Sequence, residues 1–68
     1  MDNKYISIIN GILEDNHILL TFDLEVYSTI TGKKVKTYKD KKNGERFFYV
    51  KYNDVIHRMY YTKGIYLK

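Results

Sequence analysis

The chain is 68 residues long, and its 44% hydrophobic share, with eight Tyr and three Phe, lies well above a disordered composition. That length allows one small domain with a modest core, because such a chain hides only about 60% of its unfolded surface. The absence of cysteine excludes a disulfide framework, a thiolate zinc site and a cysteine nucleophile.

Proline, tryptophan, alanine and glutamine are also absent. A reducing, cytoplasmic setting is the expectation. The longest aliphatic run, Ile18-Leu19-Leu20, is far too short to cross a bilayer, and Met1-Asp2-Asn3-Lys4 does not read as an export signal. No membrane partner is therefore expected.

Without alanine, and with many β-branched and aromatic residues, helix signals are scarce and period-two alternation carries the chain. Residues 5–13, rich in isoleucine, are expected as a first strand, with Gly11 at a bulge or bend. Glu14-Asp15-Asn16-His17 then turns into a long second strand over 17–28. Its even positions, Ile18, Leu20, Phe22, Leu24 and Val26, form one buried face, with Thr21, Asp23, Glu25 and Tyr27 opposite.

Thr31-Gly32 turns the chain into a third strand, 33–39. Asn43-Gly44 is the strongest hairpin signal, since a type I′ turn requires positive φ at both central residues. It leads into a fourth strand, 45–52, and Asn53-Asp54 is a second two-residue turn before a fifth, 55–62. Lys63-Gly64 precedes a short tail at 65–67. The expected fold is an all-β, single antiparallel meander, curled into a five- or six-stranded SH3-like barrel to hide its edges.

The turns fix a register. A two-residue turn at Asn53-Asp54 sets Val50 opposite His57 and Phe48 opposite Met59; one at Asn43-Gly44 pairs Thr37 with Val50 and Val35 with Tyr52. Opposite residues share a face. Val35, Thr37, Phe48, Val50, Tyr52, Val55 and Met59 thus make one apolar face. The other carries Lys34, Lys36, Tyr38, Phe47, Tyr49, Lys51, Ile56, Arg58 and Tyr60. Basic groups among flat rings can neutralise phosphates and stack bases. Alternatively, Phe47, Tyr49, Ile56 and Tyr60 pack beneath the N-terminal hairpin while the lysines snorkel outward.

Charge is strongly divided. Residues 1–31 hold one lysine against five carboxylates, whereas residues 32–68 hold nine lysines and two arginines against three. The excess concentrates in Lys33, Lys34, Lys36, Lys39, Lys41 and Lys42, opposed there only by Asp40. Such a basic end speeds encounter with polyanions or acidic protein surfaces. It also suits a solvated tip whose lysines discourage edge pairing. Ten lysines to two arginines favour point-charge contact with phosphate over base-edge reading by the arginine fork.

Catalytic signals are missing. His17 and His57 stand far apart with no further ligand-type spacing, whereas zinc needs about four converging ligands. Ser7 and Ser28 lack a nucleophile elbow, and the glycines are scattered singly rather than gathered in a phosphate loop. Neither a cofactor nor an enzymatic activity is expected.

The order Leu24-Glu25-Val26-Tyr27-Ser28-Thr29, Thr31-Gly32-Lys33-Lys34-Val35-Lys36, Phe48-Tyr49-Val50-Lys51-Tyr52 and Ile56-His57-Arg58-Met59 resembles a known type of module. It is similar to the small β modules that accompany HNH nucleases in phage-type homing endonucleases. The likeness covers about residues 22–60. It implies DNA contact through the lysine-rich hairpin and not cleavage. The Ile, Lys, Asn and Tyr bias also suits an AT-rich genome such as a phage's.

The expected function is a non-enzymatic nucleic-acid-binding module, working through Lys33, Lys34, Lys36, Tyr38, Lys39, Lys41, Lys42, Tyr49, Lys51 and Arg58. Two alternatives come from other classes. One is a small phage protein that modulates a host polymerase or defence factor through an acidic surface of that protein. The other is an assembly component of a larger particle. Exposed strand edges leave room for an oligomer.

Overall fold

The computed structural model describes residues 3–68; Met1 and Asp2, the start of the segment read above for an export signal, lie outside the described residues. Helix α1 (Asn3–Asp15) comes first. Six strands follow: β1 (Ile18–Leu20), β2 (Val26–Ser28), β3 (Tyr38–Lys39), β4 (Arg46–Tyr52), β5 (Val55–Tyr60) and β6 (Tyr66–Leu67). β1 and β2 form an antiparallel ribbon, and β3-β4-β5-β6 form an antiparallel meander in chain order. The molecule is mostly β, as expected, but neither all-β nor a closed barrel.

The helix is the main correction. Residues 5–13 were expected as a strand, yet Ile9 and Ile12 are buried and Leu13 half-buried at the i, i+3, i+4 spacing of a helical stripe. The same stripe holds Tyr5, whose hydroxyl donates to Ile65 O at 2.7 Å, and Asn16. Gly11 sits in the helix interior, not at a β-bulge. His17 then adopts φ 56° and stops the helix, its N–H donating to Glu14 O at 3.0 Å.

Asn16 joins this helix end to the sheet. Its Nδ2 donates to Ile12 O (2.8 Å) and to Lys51 O (2.9 Å), while Lys51 N–H donates to its Oδ1 (2.8 Å). The helix thereby lies on one face of β4. The core between them is Ile9, Ile12, Val26, Phe48, Val50, Met59 and Tyr61, with Val35, Tyr52 and Leu67 against its margin.

The long strand expected over 17–28 is a hairpin. Thr21 N–H donates to Glu25 O at 2.9 Å and Glu25 N–H to Thr21 Oγ1 at 3.1 Å, closing a turn in which Leu24 takes φ 59°. Val26 is buried and Ile18 and Leu20 are half-buried, but Leu24 is exposed and Phe22 stands wholly in solvent. The even face is therefore interrupted at Phe22 and Leu24 and resumes at Val26. A threonine able to cap its own turn at both ends defeats the apolar alternation there.

The third expected strand, 33–39, is divided between the two sheets. Ser28 N–H donates to Lys33 O and Val35 N–H to Val26 O, both at 2.9 Å, so 33–35 runs along β2. Only Tyr38 and Lys39 reach β4. Arg46 holds the corner, its Nη2 donating to Thr37 Oγ1 at 2.6 Å. The barrel does not close because this segment bends from ribbon to sheet while α1 covers the inner face.

Asn43-Gly44 is not a two-residue turn either. Asp40 N–H donates to Glu45 O and Gly44 N–H to Asp40 O, both at 2.8 Å, enclosing a four-residue loop at 41–44. Tyr38 pairs with Phe47, so the expected Thr37–Val50 and Val35–Tyr52 pairs do not form. The slip is two residues, which preserves the faces of the residues that do pair. At Asn53-Asp54 the two-residue turn is present, with φ 51° and 62°, and Phe48–Met59 and Val50–His57 pair as expected. Val55, assigned to the apolar face, is exposed beside that turn.

Two stability outcomes follow from this geometry. A Cβ at Gly11 would meet nothing within 4 Å, so Gly11→Ala is expected to stabilise the fold by about 0.5–1 kcal/mol in urea denaturation. Asn16→Asp keeps the size but replaces a donor with a carboxylate facing two carbonyls. It is expected to lower stability by about 2–3 kcal/mol by the same measurement.

Candidate nucleic-acid interface

The face of the four-stranded sheet turned away from α1 carries the side chains of Tyr38, Phe47, Tyr49, Lys51, Ile56, Arg58 and Tyr60, one alternation apart from the core residues Phe48, Val50 and Met59. Nothing described covers it. The rings form a continuous cluster about Phe47: Tyr38 lies 5.7 Å away, Tyr49 5.5 Å and Tyr60 5.2 Å between centroids. Tyr38 and Tyr49 meet edge to face at 5.3 Å. Phe47 and Tyr60 are buried by their neighbours, whereas Tyr49 (48%) and Tyr38 (37%) keep open ring surface.

Cations overlie the same rings. The Arg58 guanidinium sits 4.7 Å from the Phe47 centroid, Lys36 Nζ 5.5 Å from Tyr38 and Lys68 Nζ 5.8 Å from Tyr60. Such contacts orient the cation over the ring face while leaving its outer side in water. Lys51 shares the face with Tyr49 and is exposed. Lys41 and Lys42 project from the 41–44 loop at the end of the sheet. Lys39 alternates to the side opposite Tyr38.

Lys33 and Lys34 are elsewhere. They lie along β2, and Lys34 Nζ forms an ion pair with Glu25 Oε2 at 2.9 Å. That hydrogen bond raises the Lys34 pKa and commits its charge. Of the ten cationic and aromatic residues expected at the site, the fold gathers Tyr38, Tyr49 and Arg58 around Phe47, with Lys36 over Tyr38 and Lys51 further along the same face. It adds Lys41 and Lys42 at one end, and separates Lys33, Lys34 and Lys39.

Sequence reasoning missed Tyr66, Lys68, Asp40 and Glu45. Tyr66 stacks on Tyr60 at 4.9 Å with planes 5° apart, extending the cluster onto β6. Tyr60 donates to Asp40 Oδ2 (2.6 Å), and Tyr66 donates to Glu45 Oε2 (2.7 Å). Asp40 also accepts from Lys42 N–H at 2.9 Å, and Asn43 Oδ1 accepts from Glu45 N–H at 2.9 Å. The two carboxylates at the base of the lysine loop are thus bound to tyrosine hydroxyls, and the loop is fixed to the sheet. The available signal was the Asp and Glu flanking the loop, whose partners emerge only from the register.

These bonds move the titrations. The Tyr60 hydroxyl, then the Lys42 N–H, hold the Asp40 carboxyl below its ordinary range. Asp40 in turn raises Tyr60, and Glu45 pushes Tyr66 up to about 12. Among the described residues no group of His, Asp and Glu is arranged to hold a metal. Among the described residues, likewise, no helix is long and apolar enough to cross a membrane.

The pH dependence has a definite sign. A phenol whose folded pKa exceeds its unfolded value, near 10, stabilises fully below that value and loses its contribution as pH rises through the folded one. Stability should therefore fall between about pH 10 and about pH 12, and Tyr66→Phe should flatten that fall. In tyrosinate absorbance the wild type should show a late-titrating tyrosine that this variant lacks. Asp40 acts oppositely, its contribution lost as pH drops below about 4.

Compared with protein-family models, curated proteins and solved structures, the chain finds no match.

Proposed function

We propose that the protein is a non-enzymatic nucleic-acid-binding module whose interface is the outer face of the β3-β4-β5-β6 sheet. The observation that carries this reading is the placement of α1. By covering the opposite face it leaves Tyr38 and Tyr49 half-open to solvent within a ring of cations. Open tyrosine faces accept bases by stacking, and Lys36, Lys41, Lys42, Lys51 and Lys68 meet phosphates as point charges. The resemblance to HNH-associated β modules, and a cytoplasmic setting in a phage-infected cell, accord with this role without being needed for it.

A second reading has one observation in its favour. Phe22, wholly exposed at the tip of the β1–β2 hairpin beside Asp23, suits an apolar anchor for a host protein. Pull-down from lysate with and without nuclease treatment separates the two: a nucleic-acid binder loses its partners on treatment, a protein binder keeps them.

The direct test is fluorescence anisotropy of a labelled oligonucleotide across a salt series. Lys36→Gln, Lys41→Gln and Lys51→Gln should each flatten the salt slope by up to about one unit, while Lys34→Gln, already paired with Glu25, should leave it unchanged. Tyr49→Ala should weaken binding by about 1–3 kcal/mol while the variant stays folded by circular dichroism, because its ring is half-exposed. A folded wild type that binds neither DNA nor RNA at low salt overturns the proposal.

A further inference from the structure

Resting on the nucleic-acid reading, a further inference concerns the main chain of Tyr49. On the edge of β4 facing β3, Phe47 pairs with Tyr38, and Lys51 is held at both N–H and C=O by the Asn16 carboxamide. Tyr49 lies between them. On the other side of β4 it faces Arg58, whose N–H donates to Lys68 O (3.1 Å) and whose C=O accepts from Lys68 N–H (2.9 Å). Opposed residues of an antiparallel ladder alternate between exchanging both bonds and exchanging none. Tyr49–Arg58 is of the second kind, so the N–H and C=O of Tyr49 point toward the β3 edge.

No described residue takes them. The chain ahead of β3 is drawn off toward β2 by the Val35–Val26 bond, so the β3–β4 ladder stops at Tyr38–Phe47 and does not continue opposite Tyr49. One free donor and acceptor, with occupied positions on either side, is too short for an added β-strand, which needs a run of such pairs. It suits a small planar group carrying a donor beside an acceptor. Asn16 demonstrates the match one pair further along, bonding both groups of Lys51 at 2.8 and 2.9 Å.

Every nucleobase carries a donor beside an acceptor on the edge it uses for base pairing, the same pattern by which a carboxamide bonds another such pair, as asparagine does with N6 and N7 of adenine. In a duplex those edges are consumed. We infer that the Tyr49 main chain receives the pairing edge of an unpaired base at the rim of the aromatic face, which makes the module selective for single strands. The neighbouring Tyr38 and Tyr49 rings supply the stacking surface, and Lys36 and Lys51 the phosphate contacts.

The test compares an oligothymidylate with the same strand built from N3-methylthymine, which keeps ring and phosphate but blocks the pairing edge, and with a duplex of equal length. The methylated strand and the duplex should bind about tenfold more weakly than the plain strand. With the plain strand alone, the Tyr49 amide should shift in NMR and gain exchange protection. Equal affinity for plain and methylated strands, or an unmoved Tyr49 amide, overturns the inference while leaving the nucleic-acid reading standing. Failure of all these ligands to bind removes both.

Discussion

The fold turns on one side-chain amide. Asn16 ends the helix by bonding Ile12 O and continues the sheet by taking the N–H and C=O of Lys51. Without it those groups, on an exposed stretch of the β4 edge, would have no partner among the described residues. The clamp also sets the face on which α1 lies. With the helix end tied to Lys51, Ile9 and Ile12 reach Phe48, Val50 and Met59, and the opposite face of the same strands is left to solvent. The openness of the aromatic face is thus a consequence of where the helix is tied.

A sheet face without a covering layer must bury its own rings. Here it does so laterally. Phe47 and Tyr60 are enclosed by Tyr38, Tyr49 and Tyr66 from the sides, by Arg58 and Lys68 from above, and by polar tips bonded to Asp40 and Glu45. Tyrosine suits this construction because its ring packs while its hydroxyl stays satisfied. Glu45 is itself buried, so its carboxylate needs the Tyr66 hydroxyl as much as the ring needs cover. These two bonds tie the base of the lysine loop to the sheet.

What could be read from the sequence depended on how local the deciding interaction was. The β4–β5 register was legible because Asn53-Asp54 accepts positive φ at both turn positions and leaves one pairing. The two faces of the sheet survived an error at the 41–44 loop because the slip was even. The helix was legible in the apolar spacing, since Tyr5, Ile8, Ile9, Ile12 and Leu13 stand at i, i+3, i+4, i+7 and i+8 while alternation leaves three apolar residues on each face; the absence of alanine and the many isoleucines weighed against reading it so. What no pattern shows is that Asn16 ties the helix end to Lys51, 35 residues away. Phe22 was misplaced for a similar reason: the Thr21–Glu25 bonds that expose it are side-chain to backbone, invisible to hydrophobic patterning.

The lysine-rich segment, read as one basic patch, separates in the fold into two unlike parts. Residues 33–35 belong to the ribbon, where Lys34 is spent on Glu25 and the basic half meets the acidic half. From Lys36 onward the chain belongs to the sheet, and its carboxylates Asp40 and Glu45 are engaged by hydroxyls rather than by lysines. An acid held by a neutral donor does not neutralise the cations beside it by direct pairing. Among the described residues Lys36, Lys41 and Lys42 therefore pair with no carboxylate, and the corner at Thr37, braced by Arg46, divides the paired Lys34 from these unpaired cations.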